Sequence, residues 1–434
     1  MSVSKQFKWA LLGATALALT TSHAMAAGFQ LKEQSSSLQG LSFAGATAKA
    51  DDLSTIFFNP AGMTRIQGSK MEAHATYIKP SAELTLGSVT PSGAGTPVFA
   101  DGNGGDAGVG AVVPALYMVT DLDNGMKFGL SINTPFGLST KYDDGWAGRY
   151  YALESKVETI NIQPSLAKKI NDKWSVGGGI QLQYVSAHLS NAINSTAVTS
   201  GVVTTDGKSV MDGDDFALGY TLGVLFEPSD KTRVGLSYRS EIKHTLEGDL
   251  DIQGAVGSLG VAALSDAEIE ADLTTPSTLS LGLFHEINDQ WSVMSDVALT
   301  GWSSFSDLTV KNKSNGLVRQ SVDESWKDTL FVSVGTEYKP DDKSAYQFGI
   351  ALDQSAVDNE HRTFRIPEAD RTWLSFGYKR DLSENTSFTV GYSHIMASSA
   401  TVNEDVNNAG QGVVTGTYDD SSVNILTVGY HKKF

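Results

Sequence analysis

Lys327, Asp353 and Arg371 are the residues on which a binding chemistry could rest, because alternation puts each on the inward side of its own run of chain. Lys327 stands four residues before Phe331, so in an extended strand the two side chains share a face. Val185, Ala187 and Leu189, and separately Ile395 and Ala397, take the same inward side. A cation beside apolar walls can hold a carboxylate while a hydrocarbon tail stays out of water. The competing reading is that these apolar residues pack on another part of the chain. Asp353 and Arg371 fall on neighbouring runs with opposite charge. They could simply pair with each other, or join Ser393 in hydrogen-bonding the turn Asn59-Pro60-Ala61, since a buried charge needs partners.

Signatures of catalysis are missing. There is no Gly-x-Ser-x-Gly elbow, and His285-Glu286 is followed at the i+4 position by Asp289 instead of a second histidine. Asp101-Gly102-Asn103-Gly104-Gly105-Asp106 lacks the spacing and the terminal glutamate of a calcium loop. Cysteine is absent, which removes disulfides and thiolate metal sites. No metal or other cofactor is expected, and the chain reads as a non-enzyme. A formal net charge of −17 argues against a nucleic-acid partner, which needs a basic footprint.

The elements that position these side chains are strands. Phe216, Leu218, Tyr220, Leu222, Val224 and Phe226 alternate with Ala217, Gly219, Thr221, Gly223 and Leu225, one face large and apolar, the other mostly small or polar. Tyr346, Phe348, Ile350 and Leu352 repeat the pattern, as do Phe388, Val390 and Tyr392, and Leu426, Val428 and Tyr430. Such segments occur at 70–80, 109–120, 126–136, 154–170, 173–190, 214–227, 231–249, 268–286, 290–310, 317–339, 343–354, 364–380, 386–402 and 414–434. Tight turns such as Asn171-Asp172 and Asn288-Asp289 alternate with long connections at 81–108, 191–213, 250–267 and 403–413. The expected fold is therefore all-β, a 14-stranded antiparallel transmembrane β-barrel over residues 69–434, with short turns facing the periplasm. A soluble β-sandwich or propeller is the alternative, but no blade repeat is visible.

Residues 1–26 read as a secretory signal, with Lys5 and Lys8 before a short apolar run and Ala24-Met25-Ala26 as the cleavage site. No later segment has the roughly 18 consecutive apolar residues of a spanning helix. Residues 27–68 do not alternate, yet they carry Phe29, Leu31, Leu38, Leu41, Phe43, Ile56 and Phe57. That argues for a hatch inside the lumen in preference to a disordered tail. In the third strand, Pro135 and Gly137 should interrupt the ladder, because proline has no N–H to donate and glycine often marks a bend. Either the wall opens there, or Pro135 lies beyond the membrane and only shapes a loop. Residues 252–264 are unusually apolar for an outer loop, which suits either a capture surface or a local mini-core.

Ala27-Gly28-Phe29-Gln30-Leu31, Ala50-Asp51-Asp52, Asn59-Pro60-Ala61, Tyr238-Arg239-Ser240-Glu241, Trp326-Lys327-Asp328, Ile366-Pro367, Asp370-Arg371 with Trp373, and Gly391-Tyr392-Ser393-His394 follow one another across the chain. With these motifs in this order the chain resembles the FadL-like long-chain fatty acid transporters, a family that also includes aromatic-hydrocarbon uptake channels. The resemblance implies a plugged barrel in the Gram-negative outer membrane, a kinked third strand with a lateral opening, and energy-independent uptake of long-chain fatty acids. Other hydrophobic compounds, such as aromatic hydrocarbons or alkanes, are the alternative cargo. A general porin or an outer-membrane hydrolase are the rival classes. The resemblance also implies a substrate-contacting lysine at Lys327, whereas Asn191 stands where the family has a second contact, an arginine. Such a barrel is expected to be a monomer surrounded by lipopolysaccharide and outer-membrane lipids, inserted by the barrel assembly machinery.

Overall fold

The computed structural model describes residues 28–90, 102–404 and 412–434. The expected signal 1–26, together with Ala27 and Asp101, lies outside the described residues.

Fourteen antiparallel strands form a closed barrel. Strand 1 is Lys70–Ser81, strand 2 Ala111–Asp121, strand 3 Met126–Asn133 with Gly137–Lys141, strand 4 Glu154–Lys169 and strand 5 Trp174–Ile193. Strand 6 is Gly207–Ser229, strand 7 Thr232–Arg239 with Ile242–Gln253, strand 8 Ala267–Thr275 with Thr278–Glu286, and strand 9 Trp291–Thr300 with Asp307–Asn312. Strand 10 is Val318–Asp323 with Thr329–Asp341, strand 11 Ser344–Asp353, strand 12 Arg371–Ser383, strand 13 Thr386–Ala397 and strand 14 Ser422–Lys433. Strand 1 pairs with strand 2 on one side and strand 14 on the other, in register from Lys70↔Lys433 to Ser81↔Ser422, which closes the ring.

The two-residue period decides the faces. Along strand 6, outward Phe216, Leu218, Tyr220 and Leu222 are 64, 69, 47 and 54% exposed, while inward Thr221 is buried. A continuous apolar exterior of this kind suits lipid and is untenable in water. Gln163, Gln181, Gln183 and Ser237 are buried on the inner face, where polar partners exist. Among the described residues no helix is long and apolar enough to cross a membrane. The tight turns follow from asparagine: Oδ1 of Asn171 accepts from the amides of Lys173 and Trp174, and Oδ1 of Asn288 from those of Gln290 and Trp291. Just beyond them Trp174 stacks on Phe226 and Trp291 packs on Tyr338, with ring centroids 4.4 and 4.7 Å apart.

The segment before strand 1 is folded within the ring. It contains helical turns at Ser36–Gln39, Thr55–Phe58 and Pro60–Arg65. Its Leu31, Leu38, Leu41 and Phe43 form one apolar cluster with the inward wall residues Phe284, Met294, Trp373 and Ile395. The wall is bare of side chains where this segment presses on it: a Cβ at Gly235 would lie 1.9 Å from the carbonyl oxygen of Thr47, and one at Gly349 2.0 Å from the carbonyl carbon of Leu41. Backbone cannot yield as a flexible side chain can, so glycine is required at both.

Some expected boundaries move. Strand 12 begins at Arg371, not 364, because residues 354–370 turn into the barrel mouth and bury Phe364, Arg365 and Ile366. Strand 13 ends at Ala397, and the run expected from 414 to 434 divides. Its first part, Val413–Tyr418, joins Ala400–Glu404 and Thr85–Thr90 in a separate three-stranded sheet. Strand 6 starts earlier than expected, at Gly207, which shortens the loop before it.

Candidate functional site

Three cavities lie in series through the outer half of the barrel. The first, about 1020 Å³, is lined by Tyr150, Asn191, Val198, Leu264, Arg319 and Arg362, among others. Of the residues expected to form a capture loop, Ile252, Ala263 and Leu264 line it. Met211 and Arg365 are common to this mouth and to a second, largely apolar cavity of about 80 Å³. Ala187, Leu189, Leu246, Leu273 and Leu308 line that second cavity, and Phe29 also borders it. Leu138 and Ile366 separate it from a third, about 30 Å³, which Ile395, Ala397, Glu368 and Arg371 border.

Arg365 is the cation at this apolar chamber. It is buried, and its guanidinium donates to Ser155 Oγ at 2.9 Å, to the carbonyl of Ser190 at 3.4 Å and to Asn191 Oδ1 at 3.4 Å. These partners are all neutral, and among the described residues Arg365 has no ion pair within 4 Å. Burial lowers its pKa to about 10, so it keeps its charge at neutral pH. The backbone amide of Phe364 donates to Glu404 Oε1 at 3.0 Å. Burial raises that carboxyl to about 7, against the pull of Arg365.

Phe29 is held in an aromatic cage below the chamber, with centroids 4.8 Å from Trp302, 5.8 Å from Phe305 and 5.9 Å from Phe136 and Trp326. Val185 belongs to this cluster. Phe331 is buried against the N-terminal segment, where Nζ of Lys32 sits 4.3 Å from its ring centroid. Ala187, Leu189, Ile395 and Ala397 thus border cavities, while Val185 and Phe331 take the packing role.

Lys327 is solvent-exposed. It precedes the second part of strand 10, its side chain is 67% exposed, and its Nζ lies 2.5 Å from Asp358. The strand that carries Phe331 begins at Thr329, so alternation does not fix the face of Lys327. Lys327→Ala is expected to change fatty acid binding by about fivefold at most, because an exposed ion pair contributes at most about 1 kcal/mol even to its own partner. Titration with a fluorescent fatty acid checks this, and a large selective loss would restore Lys327 as a contact.

The Asn59 turn is anchored elsewhere than expected. Asn59 Nδ2 donates to the carbonyls of Thr47 (2.8 Å) and Val224 (3.0 Å), and Oδ1 accepts from Ala61. Pro60 continues the turn as the first residue of the helical stretch. Asp353 and Arg371 face each other across strands 11 and 12 and form an ion pair. Ser393 accepts from Gln39 Nε2 at 2.6 Å. Asp353 and Arg371 thus pair with each other, while Asn59 and Ser393 tie the N-terminal segment to the wall at different places round the ring, and period two carries no information about that angle.

The interruption in strand 3 is present and has a particular form. Strands 2 and 3 are paired only from Leu116↔Ile132 to Asp121↔Lys127. Above this, residues 111–115 of strand 2 have no partner in strand 3 until an isolated bridge, Gly108↔Thr140. Strand 3 stays paired with strand 4 up to Asn133 and again from Gly137, with Phe136 between them bonded to Thr159 Oγ1. Its freed groups turn to the N-terminal segment: Leu31 N donates to Pro135 O and Gly137 N to Phe29 O, each at 2.8 Å, and Gln34 Nε2 to Thr134 O at 2.7 Å. The inner segment thus substitutes for strand 2 along this stretch.

Comparison with known proteins bears on what this arrangement serves. A sequence model of the family described as outer membrane protein transport protein (OMPP1/FadL/TodX) matches residues 17–434. The long-chain fatty acid transport protein of Escherichia coli O6:H1 is 30% identical over 409 residues, 88% of this chain and 90% of the relative. Outer membrane protein P1 of Haemophilus influenzae is 27% identical, covering 90% of each. The crystal structure of a Pseudomonas aeruginosa FadL homologue superposes with a TM-score of 0.86 at 25% identity, over 94% of this chain and 100% of that one. The P. putida toluene transporter TodX shares the fold, with a TM-score of 0.67 at 17% identity, over 91% of this chain and 98% of that one.

Proposed function

From the chain's membership of the outer membrane protein transport protein family (OMPP1/FadL/TodX), which makes it an outer-membrane barrel for hydrophobic compounds, we propose that it takes up long-chain fatty acids by energy-independent diffusion. The observation that carries the choice of a fatty acid is Arg365: a buried guanidinium with no carboxylate within 4 Å among the described residues, beside a largely apolar chamber, favours a ligand with one anionic end and a hydrocarbon body. The carboxylate would meet Arg365 at the boundary between mouth and chamber, and the tail would enter among Ala187, Leu189, Leu246 and Leu273. Lipopolysaccharide and outer-membrane lipids surround the barrel, which acts as a monomer after insertion by the barrel assembly machinery.

A chamber of about 80 Å³ is too small for a long acyl chain while Phe29 borders it. Binding would therefore displace residues 28–31, the part of the hatch that also occupies the break in strand 3. The carboxylate arm and the exit are thus joined by one segment, and cargo would leave sideways into the membrane between strands 2 and 3. An uncharged hydrocarbon would bring Arg365 no anionic partner. Uptake of a labelled long-chain fatty acid by a deletion strain, with and without this gene, tests the reading. Equal transport of the acid and its uncharged alcohol would favour a general hydrocarbon channel instead, and sugar-driven liposome swelling would indicate a general porin.

The pH dependence has a definite sign. Glu404 is pushed up to about 7 by burial and acts on Arg365, so it ionises as pH rises through neutrality and then competes with the ligand carboxylate. Affinity for a fatty acid is expected to fall by about threefold or more between pH 6 and pH 8, given charges interacting at an effective dielectric near 20. Glu404→Gln should flatten the profile. A fall that persists unchanged in Glu404→Gln assigns it to another group.

A further inference from the structure

We infer that the aromatic cage around Phe29 is a ring-binding subsite in which Phe29 is a built-in stand-in, and that its ligand is an aryl-terminated carboxylate whose ring carries a hydrogen-bond acceptor. The inference rests on the reading of Arg365 as the head-group cation, and it narrows the cargo beyond a plain hydrocarbon tail. The cage is built where the wall departs from regular strand. Trp302 and Phe305 come from the interruption of strand 9 between Thr300 and Asp307, and Trp326 from that of strand 10 between Asp323 and Thr329. Phe136 comes from the interruption of strand 3 between Asn133 and Gly137. Freed from the alternation of a ladder, the four side chains meet in one buried cluster inside the barrel.

The four wall rings hold one another without Phe29. Trp326 packs on Trp302 and on Phe305 with centroids 4.9 Å apart in each case, and Phe136 lies edge-on to Trp302 at 6.2 Å. The cage therefore keeps its shape when the ring inside it leaves. Phe29 meets these four rings at interplanar angles between 58° and 84°. Such contacts add to the area they bury, because the positive edge of one ring lies towards the negative face of the next, and a saturated chain cannot reproduce them. A ligand ring replaces Phe29 contact for contact, whereas an alkyl chain replaces only its bulk. Phe29 also accepts from Gly137 N across the break in strand 3, so a ligand that takes its place loosens the inner segment there.

A second observation points to the chemistry of the ligand. Trp302 is fully buried and its indole N–H has no acceptor among the described residues, whereas Trp326 Nε1 donates to Glu324 Oε2 at 2.9 Å. A buried donor without a partner is costly and rare. This N–H lies on the side of the indole that the hatch covers. A Cβ built on Gly28 would stand 2.3 Å from Trp302 Cζ2 and 2.6 Å from Cε2, the carbon that bears the nitrogen. Withdrawal of residues 28 and 29 uncovers that edge, and an ether or phenolic oxygen on an incoming ring would accept from it. The same ligand reaches the cation, because Phe29 and Phe305 border the apolar chamber that Arg365 also borders. Ring in the cage, linker in the chamber and carboxylate at Arg365 give one amphiphile three separate points of recognition.

Calorimetric titration of the purified full chain in detergent with a matched set of alkanoates tests the subsite. The set ends in phenyl, cyclohexyl, para-methoxyphenyl or an unbranched chain, each with linkers of stepped length. Phenyl and cyclohexyl have similar bulk, yet phenyl is expected to bind about fivefold tighter at the best linker length. The methoxy group should add about fivefold more, and Trp302→Phe, which keeps a ring but removes the N–H, should abolish that gain alone. Phe29→Ala removes the internal competitor, so the phenyl acid should bind it about tenfold tighter than it binds the wild type. Equal binding of the phenyl and cyclohexyl acids, or a methoxy gain that survives Trp302→Phe, overturns the subsite, and the unbranched acid still binding then leaves the fatty acid reading standing. Weaker binding of the phenyl acid by folded Phe29→Ala shows that Phe29 supports the site instead of occupying it, which overturns the stand-in. Binding of none of the acids, the unbranched one included, overturns the fatty acid reading and the subsite together. Should Phe29→Ala fail to fold, judged by its heat-modifiable gel mobility, the comparison of phenyl with cyclohexyl on the wild type decides, since it needs no substitution.

Discussion

Arg365→Ala is expected to weaken binding of a long-chain fatty acid about tenfold or more, and binding of the matching alcohol far less. A charge-assisted hydrogen bond contributes roughly 1.5–3 kcal/mol, and 1.4 kcal/mol corresponds to a factor of ten. The selectivity matters more than the size of the loss. Arg365 also donates to Ser155 and to the carbonyl of Ser190, so its removal loosens the link between residues 354–370 and strands 4 and 5. Such loosening would affect acid and alcohol alike. Arg365→Lys keeps a charge but loses the planar fork, and should fall between wild type and alanine for the acid alone. Calorimetric titration of both ligands against the three proteins decides it. Equal losses for acid and alcohol would show that Arg365 braces the mouth and does not read a carboxylate.

How much of this site could be read from the chain depends on which signal each residue carries. Ala187 and Leu189 were legible because strand 5 runs unbroken from Trp174 to Ile193, so period two keeps its phase. Lys327 is not reached by period two from Phe331, because the strand that carries Phe331 begins only at Thr329. Arg365 went unseen because residues 364–370 imitate a strand's alternation while lying in the mouth, where Pro367 would in any case withhold a ladder hydrogen bond. Asn191 had marked a missing cation. The structure shows a guanidinium from a different loop 3.4 Å from Asn191 Oδ1, a contact that joins residues 174 positions apart. The anchoring of Asn59 by Thr47 and Val224, away from Asp353 and Arg371, has the same origin: alternation states which side of the wall a residue faces, and register round the whole ring is needed to state which neighbours it meets.

The largest loss of transport is expected from filling the break between strands 2 and 3. Gly137→Trp should reduce fatty acid uptake at least about tenfold while leaving heat-modifiable mobility, surface level and ligand affinity near normal. The unpaired stretch of strand 2, residues 111–115, contains Pro114, which has no N–H to offer a neighbour, and it ends where Gly108 bridges Thr140. Its counterpart in strand 3 is satisfied from inside by Phe29, Leu31 and Gln34. No backbone group of residues 134–137 therefore depends on strand 2, and displacing the inner segment would uncover a passage without breaking the ladder on either side. An apolar molecule leaving there enters lipid directly and avoids the polar lower lumen, where Arg239 donates to both Gln163 and Gln181. Thr134→Trp at the other end of the break should act in the same way. Binding and uptake must part company in both variants, because Arg365 and the chamber lining are untouched. If uptake survives both indoles, cargo does not leave through the wall, and the pairing of residues 29–34 with strand 3 serves only to seat the N-terminal segment.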